Sequence, residues 1–103
     1  MNNNINKYMR NNKRNDSPDS LVKQLVCEDG FTMSVQASHY HYCSPRQDNA
    51  AFYYKVEIGF PSEKEEYLMP YAEDRERPTD TVYGYVPVEI VERVIEKHGG
   101  IKE

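Results

Sequence analysis

Residues 31–46 read FTMSVQASHYHYCSPR, and the prediction of the fold starts from this stretch. Apolar and polar side chains alternate from Phe31 to Ser38, a period of two that is typical of a β-strand with one buried face. The same stretch then continues into histidines, tyrosines and a cysteine before Ser44 and Pro45. Because proline donates no ladder hydrogen bond, we predict a strand that begins at Phe31 and ends at Ser44-Pro45.

A second strand is predicted immediately before this one. Residues 20–27, SLVKQLVC, alternate imperfectly and are followed by Glu28, Asp29 and Gly30. An Asp-Gly pair favours a tight hairpin turn, because both central positions of that turn take a positive φ. The two strands are therefore predicted to form an antiparallel hairpin.

Two further strands are predicted downstream. The earlier one, 51–60, has one predicted face made of Phe52, Tyr54, Val56, Ile58 and Phe60. The later one, 81–86, reads TVYGYV, and its Gly84 indicates a bulge or a close approach of the backbone. Between these two strands, residues 61–71 are predicted as a loop with a short edge strand through Tyr67 and Leu68, although Ser62 and Glu65 have the spacing of a helix capping box.

Residues 87–98 predict one helix. Pro87 suits a first helical position, apolar side chains recur at helical spacing, and Gly99 suits the residue after the helix. The predicted fold class is α+β, with an antiparallel sheet of about four strands and this C-terminal helix packed on one face. One helix covers only part of such a sheet, so a homodimer is expected to cover the rest.

The first nineteen residues differ from the rest. Seven of them are asparagine and few are apolar, so we predict a disordered basic segment over 1–19 and a single α+β domain over 20–103. Four basic and two acidic side chains give residues 1–19 a net charge of +2. Since the whole chain carries −4, residues 20–103 carry −6.

An acidic domain argues against direct nucleic-acid binding, which depends on neutralising phosphates. No window approaches the length of apolar sequence that spans a membrane, and no apolar stretch marks a signal peptide. Two cysteines in such a chain are expected to be reduced thiols. We predict a cytoplasmic protein without a cofactor.

One candidate site is metal-binding. On a strand, His39, His41 and Cys43 would share one face, and this HxHxC pattern could bind zinc. Ordinary solvent contacts of a histidine-rich strand face explain the same residues. A cysteine nucleophile at Cys43 beside a histidine is a further alternative, but no third orienting group is evident.

A second candidate site is aromatic. Tyrosine rings and an arginine can stack a base and hold a phosphate, so these residues predict a pocket for a small nucleotide signal. Packing on a sheet face or in a subunit interface is the alternative. The residues are Tyr40, Tyr42, Arg46, Tyr53, Tyr54, Tyr83 and Tyr85.

A third candidate is acidic. Residues 71–80, YAEDRERPTD, are dense in charge and predict an exposed loop. Glu73, Asp74 and Glu76, together with the glutamates in 63–66, could imitate nucleic-acid phosphates against a basic groove of another protein. A solvated loop without a partner is the alternative.

The stretches HYHYCSPR, VEIGFPSE, YAEDRERPTDTVYGYVP and EKHGGI resemble those of small uncharacterised proteins encoded by bacteriophages and prophages. The resemblance covers about residues 20–101 and carries over no functional residue. It implies a non-enzymatic protein of the host-cell cytoplasm that binds a host protein, and a defence enzyme such as a CRISPR nuclease is one candidate target. Sequestration of a nucleotide signal and a zinc-binding protein are the alternative functions.

Overall fold

A computed structural model describes residues 4–13 and 21–102 of the protein. Four strands, β1 (Leu25–Val26), β2 (Thr32–Gln36), β3 (Lys55–Gly59) and β4 (Val82–Pro87), form one antiparallel sheet in the order β1-β2-β3-β4. Helix α1 (Ile5–Asn11) precedes the sheet, a 3₁₀ turn spans Met69–Tyr71, and helix α2 (Val88–Lys97) follows β4. The α+β class and the antiparallel sheet with a C-terminal helix are confirmed.

The β1–β2 hairpin is confirmed, although its turn differs from the expected two-residue type. Leu25 pairs with Met33, and the N–H of Cys27 donates to Phe31 O at 2.8 Å. Of the turn residues only Gly30 has a positive φ, at 95°. Residues 27–31 therefore connect the strands, and glycine takes the one position whose positive φ disfavours a side chain.

Strand β2 ends at Gln36, so the prediction that it continues to Ser44 is wrong. The Ser38 hydroxyl accepts a hydrogen bond from the Tyr40 N–H at 3.2 Å and contacts His41 Nδ1 at 2.6 Å. Such local side-chain bonds compete with the strand ladder, and the chain turns away there. As a result, His39, His41 and Cys43 do not share a strand face.

The predicted face of the third strand is confirmed only in its centre. Val56 and Ile58 are buried, whereas Tyr53 is buried and Phe52 and Tyr54 are exposed, the reverse of the expectation. Strand β3 begins at Lys55, so alternation does not extend back to these residues. Phe60, with φ at 49°, is also exposed, because the backbone leaves the strand there.

The edge strand expected through Tyr67 and Leu68 is absent, and turns lead to the 3₁₀ helix instead. The Glu65 carboxylate accepts a hydrogen bond from the Tyr67 N–H at 3.0 Å, which closes a turn. Leu68 is fully buried in the core. Pro70 lies in the first turn of the 3₁₀ helix, where its missing N–H costs nothing.

Strand β4 contains the bulge that Gly84 predicted. Val56 pairs with Val86 and Ile58 with Tyr83, so two residues of β4, Gly84 and Tyr85, face one residue of β3. The predicted helix is also confirmed as α2, with Gly99 after its end at φ 89°. Its apolar side packs with alternate residues of the sheet in one core, to which α2 contributes Val88, Val91, Val94 and Ile95.

The structure differs from the predicted disordered segment over residues 4–13. Helix α1 forms there, and Ile5 and Met9 are buried in the core. The Ile5 N–H donates to Glu92 Oε2 at 3.0 Å, which fixes α1 to α2. Residues 1–3 and 14–19 of that prediction lie outside the described residues. Within the described ranges, no helix is long and apolar enough to cross a membrane.

Candidate functional site

The predicted aromatic site divides into buried and exposed tyrosines. Tyr53 is 6% exposed and Tyr83 is fully buried, so neither ring is displayed at the surface beside Tyr42 and Tyr85. Their hydroxyl groups donate to the backbone oxygens of Gln47 (2.6 Å) and Pro78 respectively. Both rings therefore hold loops to the core.

Tyr42 and Tyr85 remain exposed and meet, together with Arg46, in a group that we call the tyrosine cluster. The ring centroids of Tyr42 and Tyr85 are 5.9 Å apart and the rings are tilted by 37°. The Arg46 guanidinium carbon lies 5.7 Å from the Tyr42 ring centroid, within cation–π distance. The two tyrosines are about two-fifths exposed, at 40% and 43%.

The β4 bulge holds this cluster. A Cβ atom on Gly84 would lie 3.2 Å from the Tyr42 Cβ, so glycine allows the Tyr42 ring to lie over the strand. The Tyr85 N–H donates to Tyr42 O at 3.0 Å, and the Tyr42 N–H donates to Glu57 Oε1 at 3.0 Å. Tyr85 itself has φ at 54°, a left-handed conformation that is costly for a residue with a side chain.

Tyr40 contacts the rings of its two histidine neighbours. Its ring meets His39 edge-on, with centroids 4.5 Å apart, and is tilted against His41 at 5.1 Å. Tyr40 is exposed on the loop that also carries Tyr42.

The predicted zinc ligands are each engaged elsewhere. His39 Nδ1 contacts the Asp48 carboxylate at 3.0 Å, His41 Nδ1 contacts the Ser38 hydroxyl, and the Cys43 thiol donates to Ser38 O at 3.2 Å. Residues 4–13 and 21–102 contain no group of three His, Cys, Asp or Glu side chains arranged to hold a metal ion. The geometry therefore adds no support to the zinc hypothesis.

Both cysteines are free and buried. Burial raises the pKa of the Cys43 thiol, and burial together with the Asp29 charge raises the pKa of Cys27 to about 11. A thiol that stays protonated is a poor nucleophile. These thiols therefore pack as small apolar side chains.

The acidic residues are displayed as predicted only in part. Glu73, Asp74 and Glu76 are exposed on a loop that leaves the outer edge of β4, where Ala72 pairs with Tyr83. The Asp74 carboxylate accepts the Glu76 N–H at 3.0 Å and so shapes that loop. We call these three residues the acidic loop; in the other predicted acidic segment, Glu65 is buried and faces the core.

Sequence analysis missed the most strongly interacting charged group of the described chain, which we call the ion cluster: Asp29, Glu65, Lys97 and His98. The imidazole of His98 lies between two carboxylates, with Nδ1 at 2.6 Å from Asp29 Oδ2 and Nε2 at 2.9 Å from Glu65 Oε1. Lys97 Nζ donates to Glu65 at 3.1 Å. Side chains of His98 and Glu65 are only 6% and 1% exposed.

Two carboxylates determine the charge of His98. Burial by itself lowers the pKa of His98, but the hydrogen bonds that its ring nitrogens donate to Glu65 and Asp29 outweigh burial and raise it. Burial likewise raises the pKa of Glu65, and hydrogen bonds from the Tyr67 N–H, His98 and Lys97 reverse this and lower it. An imidazolium that donates from both nitrogens is already satisfied, so this cluster serves structure more readily than proton transfer.

No sequence pattern could have identified the ion cluster, because its members come from the β1–β2 turn, the segment before the 3₁₀ helix and the end of α2. The Phe31 ring stacks on the His98 imidazole with centroids 4.1 Å apart, which closes the cluster from one side.

Comparison with known proteins gives no match to a family model, a curated protein or a solved structure.

Proposed function

We propose that this protein is a non-enzymatic binding protein whose tyrosine cluster and acidic loop contact another protein. The observation that carries the proposal is the backbone at Gly84 and Tyr85. A bulge, a glycine and a left-handed tyrosine are combined there, and their result is two rings held in contact at the surface. Strained conformations of this kind are concentrated at functional sites.

The chemistry of the surface favours a protein as the partner. Tyrosine and arginine are enriched among the residues that dominate binding energies at protein interfaces. A net charge of −6 on residues 20–103 and the exposed acidic loop favour a basic partner surface. The resemblance to phage-encoded proteins supports a host protein as that partner, and a defence nuclease with a basic nucleic-acid groove fits the charge.

A binding experiment with matched variants tests the proposal. The wild-type protein and three variants are used as baits in lysates of bacterial hosts, and retained proteins are quantified by mass spectrometry. Variant one is Tyr42→Ser with Tyr85→Asn, and variant two replaces Glu73, Asp74 and Glu76 with Lys. The control replaces another exposed and touching aromatic pair, Phe52→Ser with Tyr54→Ser.

A specific partner should be retained by the wild type and the control and lost from both site variants. If that partner is a CRISPR nuclease, the wild-type protein should inhibit its cleavage of target DNA and the triple-lysine variant should not. A set of retained proteins that is the same for all four baits would reject the proposal, provided that circular dichroism shows all four folded.

A second candidate function is the binding of a nucleotide signal at the tyrosine cluster. The observation that favours it is the Arg46 guanidinium beside an exposed ring, an arrangement able to stack a base and pair with a phosphate. A panel of cyclic mono- and dinucleotides should then raise the melting temperature of the wild type. Arg46→Ala should remove that shift and leave the melting temperature of the free protein nearly unchanged.

A further inference from the structure

A cavity of about 270 Å³ lies between helix α1 and the loop that precedes β3. On the α1 side it is lined by Asn6, Met9 and Arg10, whose spacing of i, i+3 and i+4 is that of one helical face, and by Lys13, which follows the end of α1. The opposite side consists of Asn49, Ala50 and Tyr53.

The wall of this cavity is fixed where α1 meets the loop. The side-chain amide of Asn6, which is 4% exposed, donates to Tyr53 O at 3.0 Å and accepts from the Tyr53 N–H at 2.8 Å. The Tyr53 hydroxyl donates to Gln47 O and accepts from the Ala50 N–H at 3.1 Å. These bonds hold the orientation of the Tyr53 ring, one of the cavity walls.

Helix α1 is itself anchored on its other sides. Besides the Ile5 bond to α2, the Tyr8 hydroxyl lies 3.2 Å from the backbone oxygens of Lys23 and Gln24, beside β1. A cavity with walls held in this way needs little reorganisation to bind a ligand, which favours affinity.

The charge of the lining is positive, in contrast to the domain as a whole. Among the described residues, no carboxylate lines the cavity, and Arg10 makes no hydrogen bond or ion pair. Lys13 donates to the neutral amide of Asn49. The carboxylate of Asp48, next to Asn49 in the sequence, is bound by His39 at 3.0 Å; this bond is the main cause that lowers the pKa of Asp48, and the charge of Lys13 is a minor one.

We propose that this cavity, the α1 pocket, binds a mononucleotide. Its volume of about 270 Å³ lies just below the usual range of ligand pockets, which favours a small ligand of one base, one sugar and one phosphate. The Tyr53 ring and the Met9 side chain supply flat and apolar contacts for a base, and Asn49 supplies an amide. Arg10 and Lys13 supply two cations for the phosphate, a pairing that arginine makes with two parallel hydrogen bonds.

Calorimetric titration of the full-length protein with AMP and with UMP tests this proposal. Adenosine and inorganic phosphate are titrated as well, because each lacks one half of the proposed ligand. The site variant is Arg10→Gln with Lys13→Gln. The matched control is Lys7→Gln with Arg93→Gln, which removes the same charge from two exposed residues outside the cavity, one of them on α1.

At least one of the two mononucleotides should bind with a Kd below about 1 mM. The site variant should weaken that binding by roughly tenfold or more, since each lost charge-assisted bond accounts for about that factor, while the control variant binds normally. Adenosine and phosphate should each bind at least roughly tenfold more weakly than the nucleotide.

Failure of both AMP and UMP to bind below about 1 mM would overturn the proposal. Binding that the site variant leaves unchanged would also overturn it, because the nucleotide would then occupy a different site. Loss of binding in Arg46→Ala but not in the site variant would assign the nucleotide to the tyrosine cluster instead.

Discussion

The ion cluster and the tyrosine cluster make opposite use of chemically versatile side chains. In the ion cluster, His98 and Glu65 are buried, and each of their charges meets a partner within about 3 Å. In the tyrosine cluster, Tyr42, Tyr85 and Arg46 lie at the surface and contact mainly one another. One group is satisfied inside the fold, and the other is left available outside it.

This difference teaches where function should be sought in the chain. A buried charge that is fully paired contributes by holding three separate segments together, and removing one partner leaves the others unpaired at high cost. An exposed aromatic pair adds little to stability, so a backbone that adopts a strained conformation to present it requires another explanation. The proposed binding would supply that explanation, and the following predictions test the contrast.

The largest effect is expected from Glu65→Ala. The substitution leaves the buried His98 imidazole and the Lys97 ammonium without their common carboxylate, and it should lower the free energy of unfolding by about 3 kcal/mol or more. Urea denaturation measures the change. Glu63→Ala, at an exposed position two residues away, should change it by less than about 0.5 kcal/mol. Equal effects of the two substitutions would show that the ion cluster does not hold the fold.

A smaller effect on the free energy of unfolding is expected from a change of pH. Because the pKa of His98 is raised in the folded protein, protonated His98 contributes fully to the free energy of unfolding below about pH 6.5, the ordinary histidine value. This contribution is lost as pH rises through the folded pKa. The pKa values of Glu65 and Asp29 are lowered, so their contribution is complete above about pH 4.5 and is lost as pH falls. Stability should therefore be greatest between about pH 4.5 and 6.5.

Urea denaturation at several pH values between 5 and 8 measures this dependence on the alkaline side. The decline above about pH 6.5 should be present in the wild type and absent from His98→Gln, which cannot titrate. The same decline in both proteins would assign it to another group and would remove the argument that His98 is an imidazolium in the fold.

The smallest effect is expected from Tyr85→Asn. Asparagine tolerates a left-handed backbone better than tyrosine does, and this relief should offset the lost ring contact with Tyr42. The free energy of unfolding should change by less than about 0.5 kcal/mol. Tyr83→Ser, two residues earlier at a fully buried position, should cost about 3 kcal/mol or more. A loss of similar size at Tyr85 would make its ring part of the fold and would weaken the proposal of a binding surface.

The elements that the sequence predicted correctly have strong local signals. The hairpin has Gly30, the bulge has Gly84, and α2 has apolar side chains at helical spacing followed by Gly99. Some errors have a distant cause: Asn6 bonds both backbone groups of Tyr53, and α1 forms in a polar segment because the core receives Ile5 and Met9. Others have a local cause, since side-chain bonds of Ser38 end β2 early and a Glu65 bond closes a turn in place of the edge strand.

The candidate sites show the same division. Exposure of the acidic loop followed from the density of charge in its sequence, and Tyr42 and Arg46 were predicted as site residues because of their residue types. Which tyrosines are exposed was not predicted, because Tyr83 and Tyr85 would share one face of a regular strand, and the geometry of the bulge places one in the core and the other at the surface. The α1 pocket was missed because it lies partly in the segment predicted to be disordered.

The sequence by itself determined the α+β class, the hairpin, the bulge position and the C-terminal helix, because periodicity and glycine act between near neighbours in the chain. Only the tertiary structure decided that Asp29, Glu65 and His98 meet, that Tyr42 packs over Gly84, and that α1 closes a cavity. These contacts join residues that are far apart in sequence. Their energies depend on burial and distance, and both exist only once the chain has folded.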